Sequence, residues 1–182
     1  MKTYIALLRG VNVGGHNQVR MADLRLMCAD LGCEAVETYL NSGNLVFRSS
    51  EEDPGALTAR LQAALLERLG ADAPILIRQP GDLARIQASN PFLNGERSED
   101  PAKLHVMFLS GPPDPANLAK LIIPQGCADE FIPGEQEIYL FCPGGLGRTQ
   151  LTTAFFERKL KLLSTTRNWN TLNALHRLAS AK

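Results

Sequence analysis

Val36-Glu37-Thr38-Tyr39-Leu40-Asn41-Ser42-Gly43-Asn44-Leu45-Val46-Phe47 decides the fold. Residues 36–40 and 45–47 are rich in strand-forming types, and the four residues between them tolerate positive φ, so the stretch reads as a hairpin. Upstream, residues 4–8 form a short apolar run bounded by Arg9-Gly10, a buried strand. Met21, Leu24, Met27, Cys28 and Leu31 then recur at helical spacing, with Gly32 where a cap belongs. Downstream, Leu57, Leu61, Ala64, Leu65 and Leu69 make a second amphipathic helix closed by Gly70, and residues 74–77 a fourth strand. With the hairpin in the middle the order is β-α-β-β-α-β, the ferredoxin-like pattern.

Residues 81–88 predict a short helix ended by Asn90-Pro91, and the polar residues 94–103 a linker. The second half repeats the order less regularly. It offers a strand at 104–109, a short helix at 115–122, and strands at 130–132 and 137–141 around Pro133-Gly134-Glu135. A long helix follows, capped by Thr149 and running through Leu163, then a last strand of about three residues at 165–167 and a final helix at 169–178. The expected class is α+β, with two ferredoxin-like halves packed side by side. Residues 1–79 are the first half, 80–103 a helix and linker, and 104–182 the second half with an extra C-terminal helix.

Composition excludes several classes. At 182 residues and 45% hydrophobic the chain can build a sizeable core, and no apolar run approaches the roughly 20 residues of a membrane helix, so a cytoplasmic protein without a membrane partner is expected. The 19 basic and 19 acidic residues cancel but are unevenly placed. Residues 143–182 hold seven bases and one acid, and residues 1–20 three bases and no acid. If the two ends meet they form a basic face; a solvated helix surface with nearby countercharges is the alternative. Cys28, Cys33, Cys127 and Cys142 have neither CxxC nor zinc spacing and read as reduced, mostly structural thiols. His16, His105 and His176 share no ligating spacing, and no GxSxG, HExxH or Cys-His signature occurs. No metal or cofactor is expected, and the reaction, if there is one, is not written in a motif.

Four stretches could carry chemistry. Arg9-Gly10-Val11-Asn12-Val13-Gly14-Gly15 joins a strand to a helix, where loop amides and the helix dipole favour an anion; its glycines fit neither the dinucleotide fingerprint nor a P-loop, and a tight turn accounts for them equally. Asn41-Ser42-Gly43-Asn44 reads first as turn chemistry and gains functional weight if it faces Arg9. Gly144-Gly145-Leu146-Gly147-Arg148-Thr149-Gln150 repeats glycine before a base. In Thr165-Thr166-Arg167-Asn168-Trp169-Asn170-Thr171 one asparagine can cap the last helix and the only Trp can pack, but capping needs neither Arg167 nor both asparagines.

Ala6-Leu7-Leu8-Arg9-Gly10-Val11-Asn12-Val13-Gly14-Gly15, Tyr39-Leu40-Asn41-Ser42-Gly43-Asn44, Leu146-Gly147-Arg148 and Thr166-Arg167-Asn168-Trp169-Asn170-Thr171 together resemble the uncharacterised bacterial family of domain of unknown function 1697, over essentially the whole chain. The resemblance implies two ferredoxin-like halves and brings no activity, substrate or cofactor. His16 stands where members commonly have Lys, Arg20 where they have Pro, and Thr149-Gln150 where they have Ser-Lys, which removes two positive charges.

The leading expectation is a site for a small phosphate- or carboxylate-bearing molecule in a cleft between the halves, with Arg9, Asn12, Ser42, Asn44, Arg148, Arg167, Asn168, Trp169 and Asn170 as candidate ligand-binding residues. A single-stranded nucleic-acid-binding module is the alternative, since ferredoxin-like sheets bind RNA elsewhere. Neutral charge and 6% aromatic content count against it. A protein-interaction scaffold or homo-oligomer is the third reading.

Overall fold

The computed structural model describes residues 1–15, 17–94 and 98–182. His16 and residues 95–97, the latter within the expected linker, lie outside the described residues. The first repeat consists of β1 (Lys2–Leu8), α1 (Met21–Asp30), β2 (Glu34–Thr38), β3 (Asn44–Ser49), α2 (Pro54–Leu69) and β4 (Ile75–Arg78). Its sheet is antiparallel in the order β2-β3-β1-β4. Alternation along the strands sends Tyr4, Ala6, Leu8, Leu45, Phe47 and Ile75 into one core with Leu24, Met27 and Cys28 of α1 and Leu57, Leu61 and Leu65 of α2. The helix ends follow from local chemistry. Gly32, at φ +80°, terminates α1 while the Cys33 N–H bonds the Cys28 carbonyl at 3.1 Å. The Asp53 carboxylate accepts from the Gly55 and Ala56 amides to start α2, and left-handed Gly70 stops it.

After α3 (Pro80–Ala88) the second repeat has β5 (Leu104–Leu109), α4 (Pro115–Leu118), β6 (Glu130–Pro133), β7 (Glu137–Phe141), α5 (Thr153–Leu160) and β8 (Ser164–Asn168), followed by α6 (Trp169–Ser180). Its sheet order, β6-β7-β5-β8, matches the first. Both halves are therefore ferredoxin-like, as expected. Met107, Leu109, Ile138, Leu140 and Cys142 pack there with Phe156 and Leu160 of α5.

Three details differ from the sequence reading. β8 has five residues, all paired with β5 from His105↔Asn168 to Leu109↔Ser164, because ladder bonding needs no apolar alternation in an element already flanked by a buried strand. Thr149 does not cap a helix. Its hydroxyl donates to Asp129 Oδ2 at 2.6 Å and accepts from the Leu151 amide, while Thr152 accepts from the Phe155 amide to start a helix of only eight residues. The helix expected at 115–122 keeps four residues: beyond it Lys120 and Leu121 donate to carbonyls three residues back, so the chain tightens into turns ahead of Pro124.

The repeat extends to individual backbone bonds. Leu8 N–H donates to the Gly43 carbonyl and Leu109 N–H to that of Gln136; Arg9 N–H donates to Pro74 and Ser110 N–H to Leu163. On this register Arg78 of β4 opposes Ile5 as Arg167 of β8 opposes Val106. Asn44 opposes Leu7 as Glu137 opposes Phe108. The chain forms two compact units, Met1–Arg85 with Asn173–Lys182, and Ile86–Leu172. Both α3 and α6 therefore begin in one unit and end in the other.

Candidate functional site

In the first unit two of the sequence motifs meet. The Asn12 amide donates to the carbonyls of Val19 (2.8 Å) and Asn41 (2.7 Å) and accepts from the Val19 amide (2.8 Å), so it clamps its own loop and ties it to the hairpin turn. Gly43 lies against Leu8 and Val11 at φ +74°, where a Cβ would come within 2.5 Å of Val11 Cγ2 and 2.7 Å of Leu8 Cβ. Gly43 of the turn thus packs on Leu8 and Val11, the residues on either side of Arg9-Gly10. Asn44 is fully buried, donating to the Tyr39 carbonyl and to exposed Ser42 Oγ, both at 2.9 Å. Asn12 and Asn44 hold main chain in place; Arg9 is the half-buried cation that this frame presents.

In the second unit Arg148 is exposed, in a short 3-10 turn. Arg167 is buried. One guanidinium nitrogen donates to Thr165 Oγ1 (2.8 Å) and the Thr166 carbonyl (2.9 Å), and burial lowers its pKa to about 10, so it remains a cation at neutral pH. Asn168 caps α6, accepting from the Thr171 amide at 2.7 Å. Trp169, at 5% exposure, is buried and shows almost no ring face for stacking, while Asn170 is exposed. Of the asparagines singled out in the sequence, three are thus engaged in loop, turn or cap bonding.

Sequence reasoning missed two buried groups. Arg78, the counterpart of Arg167, donates to the Ile77 carbonyl at 2.8 Å just as Arg167 donates to Thr166. The signal was available: each fourth strand carries an arginine three residues after its first position. Glu137 is fully buried and accepts from the amides of Glu135 and Gln136. Three of the four thiols are buried, and Cys127 is half-buried. All four are free, and burial pushes Cys28 up to about 12 and Cys142 up to about 11, far from a reactive thiolate. Among the described residues no group of three His, Cys, Asp or Glu side chains could hold a metal, and no helix is long and apolar enough to cross a membrane.

Among the described residues His105 Nδ1 and Thr166 Oγ1 are buried without a hydrogen-bond partner, and the β5–β8 register makes the two residues diagonal neighbours on one sheet face. Burial lowers the His105 pKa from its ordinary 6.5, opposed by the Lys103 carbonyl beside the ring. The unfolded chain therefore binds the proton more readily, so stability is full above about pH 6.5 and falls as acid is added. The melting temperature is expected to drop more steeply between about pH 7 and pH 5 in the wild type than in His105→Leu. Equal slopes would clear His105 of that role.

A family model described as a protein of unknown function (DUF1697) matches residues 1–139. The chain belongs to the DUF1697 family. The match takes in the Arg9 loop and the Asn41-Ser42-Gly43-Asn44 turn but stops before Arg148 and the Arg167 run, a shorter span than the motifs alone suggested. The conserved bacterial protein SP0830 from Streptococcus pneumoniae has a solved structure similar to this DUF1697 chain. It is 24% identical, with a TM-score of 0.73 over 97% of this chain and 98% of that one, a likeness of fold. No curated protein matches this DUF1697 member.

Proposed function

We propose that this DUF1697 protein binds a small phosphate- or carboxylate-bearing molecule through arginine side chains: in the second unit Arg167 foremost, with Arg148 as a further cation and Asn170 as an orienting donor, while Arg9 is the candidate cation of the first unit. The observation that carries the reading is the guanidinium of Arg167, which stays charged in a buried position on β8, where it donates to Thr165 Oγ1 and the Thr166 carbonyl. A buried cation is expensive to maintain for stability alone, and the arginine fork matches phosphate and carboxylate oxygens in pairs. Sheet-face recognition of RNA has less support, because the faces it would use, with Ile5, Leu7 and Val46 in one sheet and Val106, Phe108 and Tyr139 in the other, are buried.

A thermal-shift screen of nucleotides, sugar phosphates and small carboxylates tests the reading, since a ligand at about 100 times its dissociation constant adds roughly 2.7 kcal/mol. For the best hit, Arg167→Lys is expected to weaken binding at least about tenfold, the loss of one bidentate contact, in calorimetry well below the melting temperature. The burial of Arg167 means that the variant also melts earlier, so affinity and not the melting shift is the readout. Unchanged affinity removes Arg167 from the site.

A further inference from the structure

The groove between Tyr39 and the end of α6, wholly within the first unit, uses none of the residues of the anion proposal. It is an open groove of about 290 Å³, lined by Tyr39, Ala174, Arg177, Leu178 and Ala181. Ala174, Arg177 and Leu178 fall at helical spacing on one stripe of α6, and Ala181, just past its end, continues it. Two alanines on that stripe leave a slot beside Leu178, facing Tyr39. Both walls are fixed. The Tyr39 main chain is held at its N–H by the Asn44 carbonyl (3.0 Å) and at its carbonyl by the Asn44 amide (2.9 Å). The chain just past α6 is tied to β2 by Lys182, whose ammonium donates to the Ala35 carbonyl and to Glu37 Oε1, both at 2.6 Å.

At the rim stands exposed Arg177, whose guanidinium has no hydrogen-bond or ion-pair partner among the described residues. An apolar slot with one unengaged guanidinium selects a ligand that is flat and apolar at one end and anionic at the other. We infer that this groove binds a small aromatic carboxylate, with its ring between Tyr39 and Leu178 and its carboxylate bidentate on Arg177. The volume, at the small end of ligand pockets, suits a body of one or two fused rings. A bare phosphate would leave the slot empty, and a neutral ring would leave the guanidinium unused.

The probe is 2-naphthoate, titrated by calorimetry and by shifts of Tyr39 and Ala181 resonances, with 2-naphthalenemethanol as the neutral counterpart. The wild type is expected to bind the acid saturably and the alcohol at least tenfold more weakly. Arg177→Gln, which removes charge from an exposed side chain, and Ala181→Leu, which fills the slot from an exposed position, should each weaken the acid at least tenfold with unchanged far-ultraviolet circular dichroism. No saturable binding of 2-naphthoate, equal affinity for the alcohol, or full affinity in either variant overturns the inference.

Discussion

Trp169→Ala is expected to lower the unfolding free energy by about 3 to 5 kcal/mol, the cost of deleting a large buried aromatic, and to show this as an earlier midpoint in urea. The ring is 5% exposed and opens a helix whose other inward residues, Leu172 and Leu175, are fully buried, so its removal leaves a cavity at the junction of β8 and α6. The neighbouring cap gives the scale. Asn168→Ala removes a single bond to the Thr171 amide, and about 1 kcal/mol should go with it. If Trp169→Ala costs no more than Asn168→Ala, the tryptophan is not the anchor of the helix and its burial serves something else.

Gly43→Ala should cost about 2 to 5 kcal/mol, combining left-handed strain of about 1 to 2 with overpacking of about 1 to 3. The new methyl would meet Leu8 Cβ and Val11 Cγ2, which belong to the strand and loop that present Arg9, so the variant also strains that loop. Gly32→Ala isolates the backbone part, because Gly32 has positive φ but nothing within 4 Å of an added Cβ. Denaturant titrations of the two variants should differ by the steric part. Equal losses would mean that the hairpin and the loop slide apart at little cost.

What the sequence revealed depended on which force shaped each element. The first repeat was legible because its helices end on glycines with positive φ, Gly32 and Gly70, and its strands alternate or run apolar. β8 was nearly invisible: Ser-Thr-Thr-Arg-Asn has no hydrophobic period, and its place comes from ladder bonds to β5, a long-range partner. Thr149 misled because two threonines three apart both suit a cap, and the buried carboxylate of Asp129, twenty residues away, claims the first. The candidate site was harder to judge for a related reason. Asparagine at a turn, in a loop or before a helix has the same donor and acceptor set whether it faces main chain or ligand. Only the fold shows that Asn12, Asn44 and Asn168 face main chain.

The assignment of residues 173–182 to the first unit bears on how the molecule comes off the ribosome. Synthesis is vectorial, and a nascent domain made of one continuous segment can close as soon as it clears the exit tunnel. Here β1 to β4 emerge early but lack the end of α6, with Lys182 against the bulged β2 edge, until the whole of Ile86–Leu172 has been translated. During that interval β2 is a sheet edge with no lysine over its Ala35 carbonyl, the kind of surface to which stray strands add. Of the two units, the one that begins first is thus completed second.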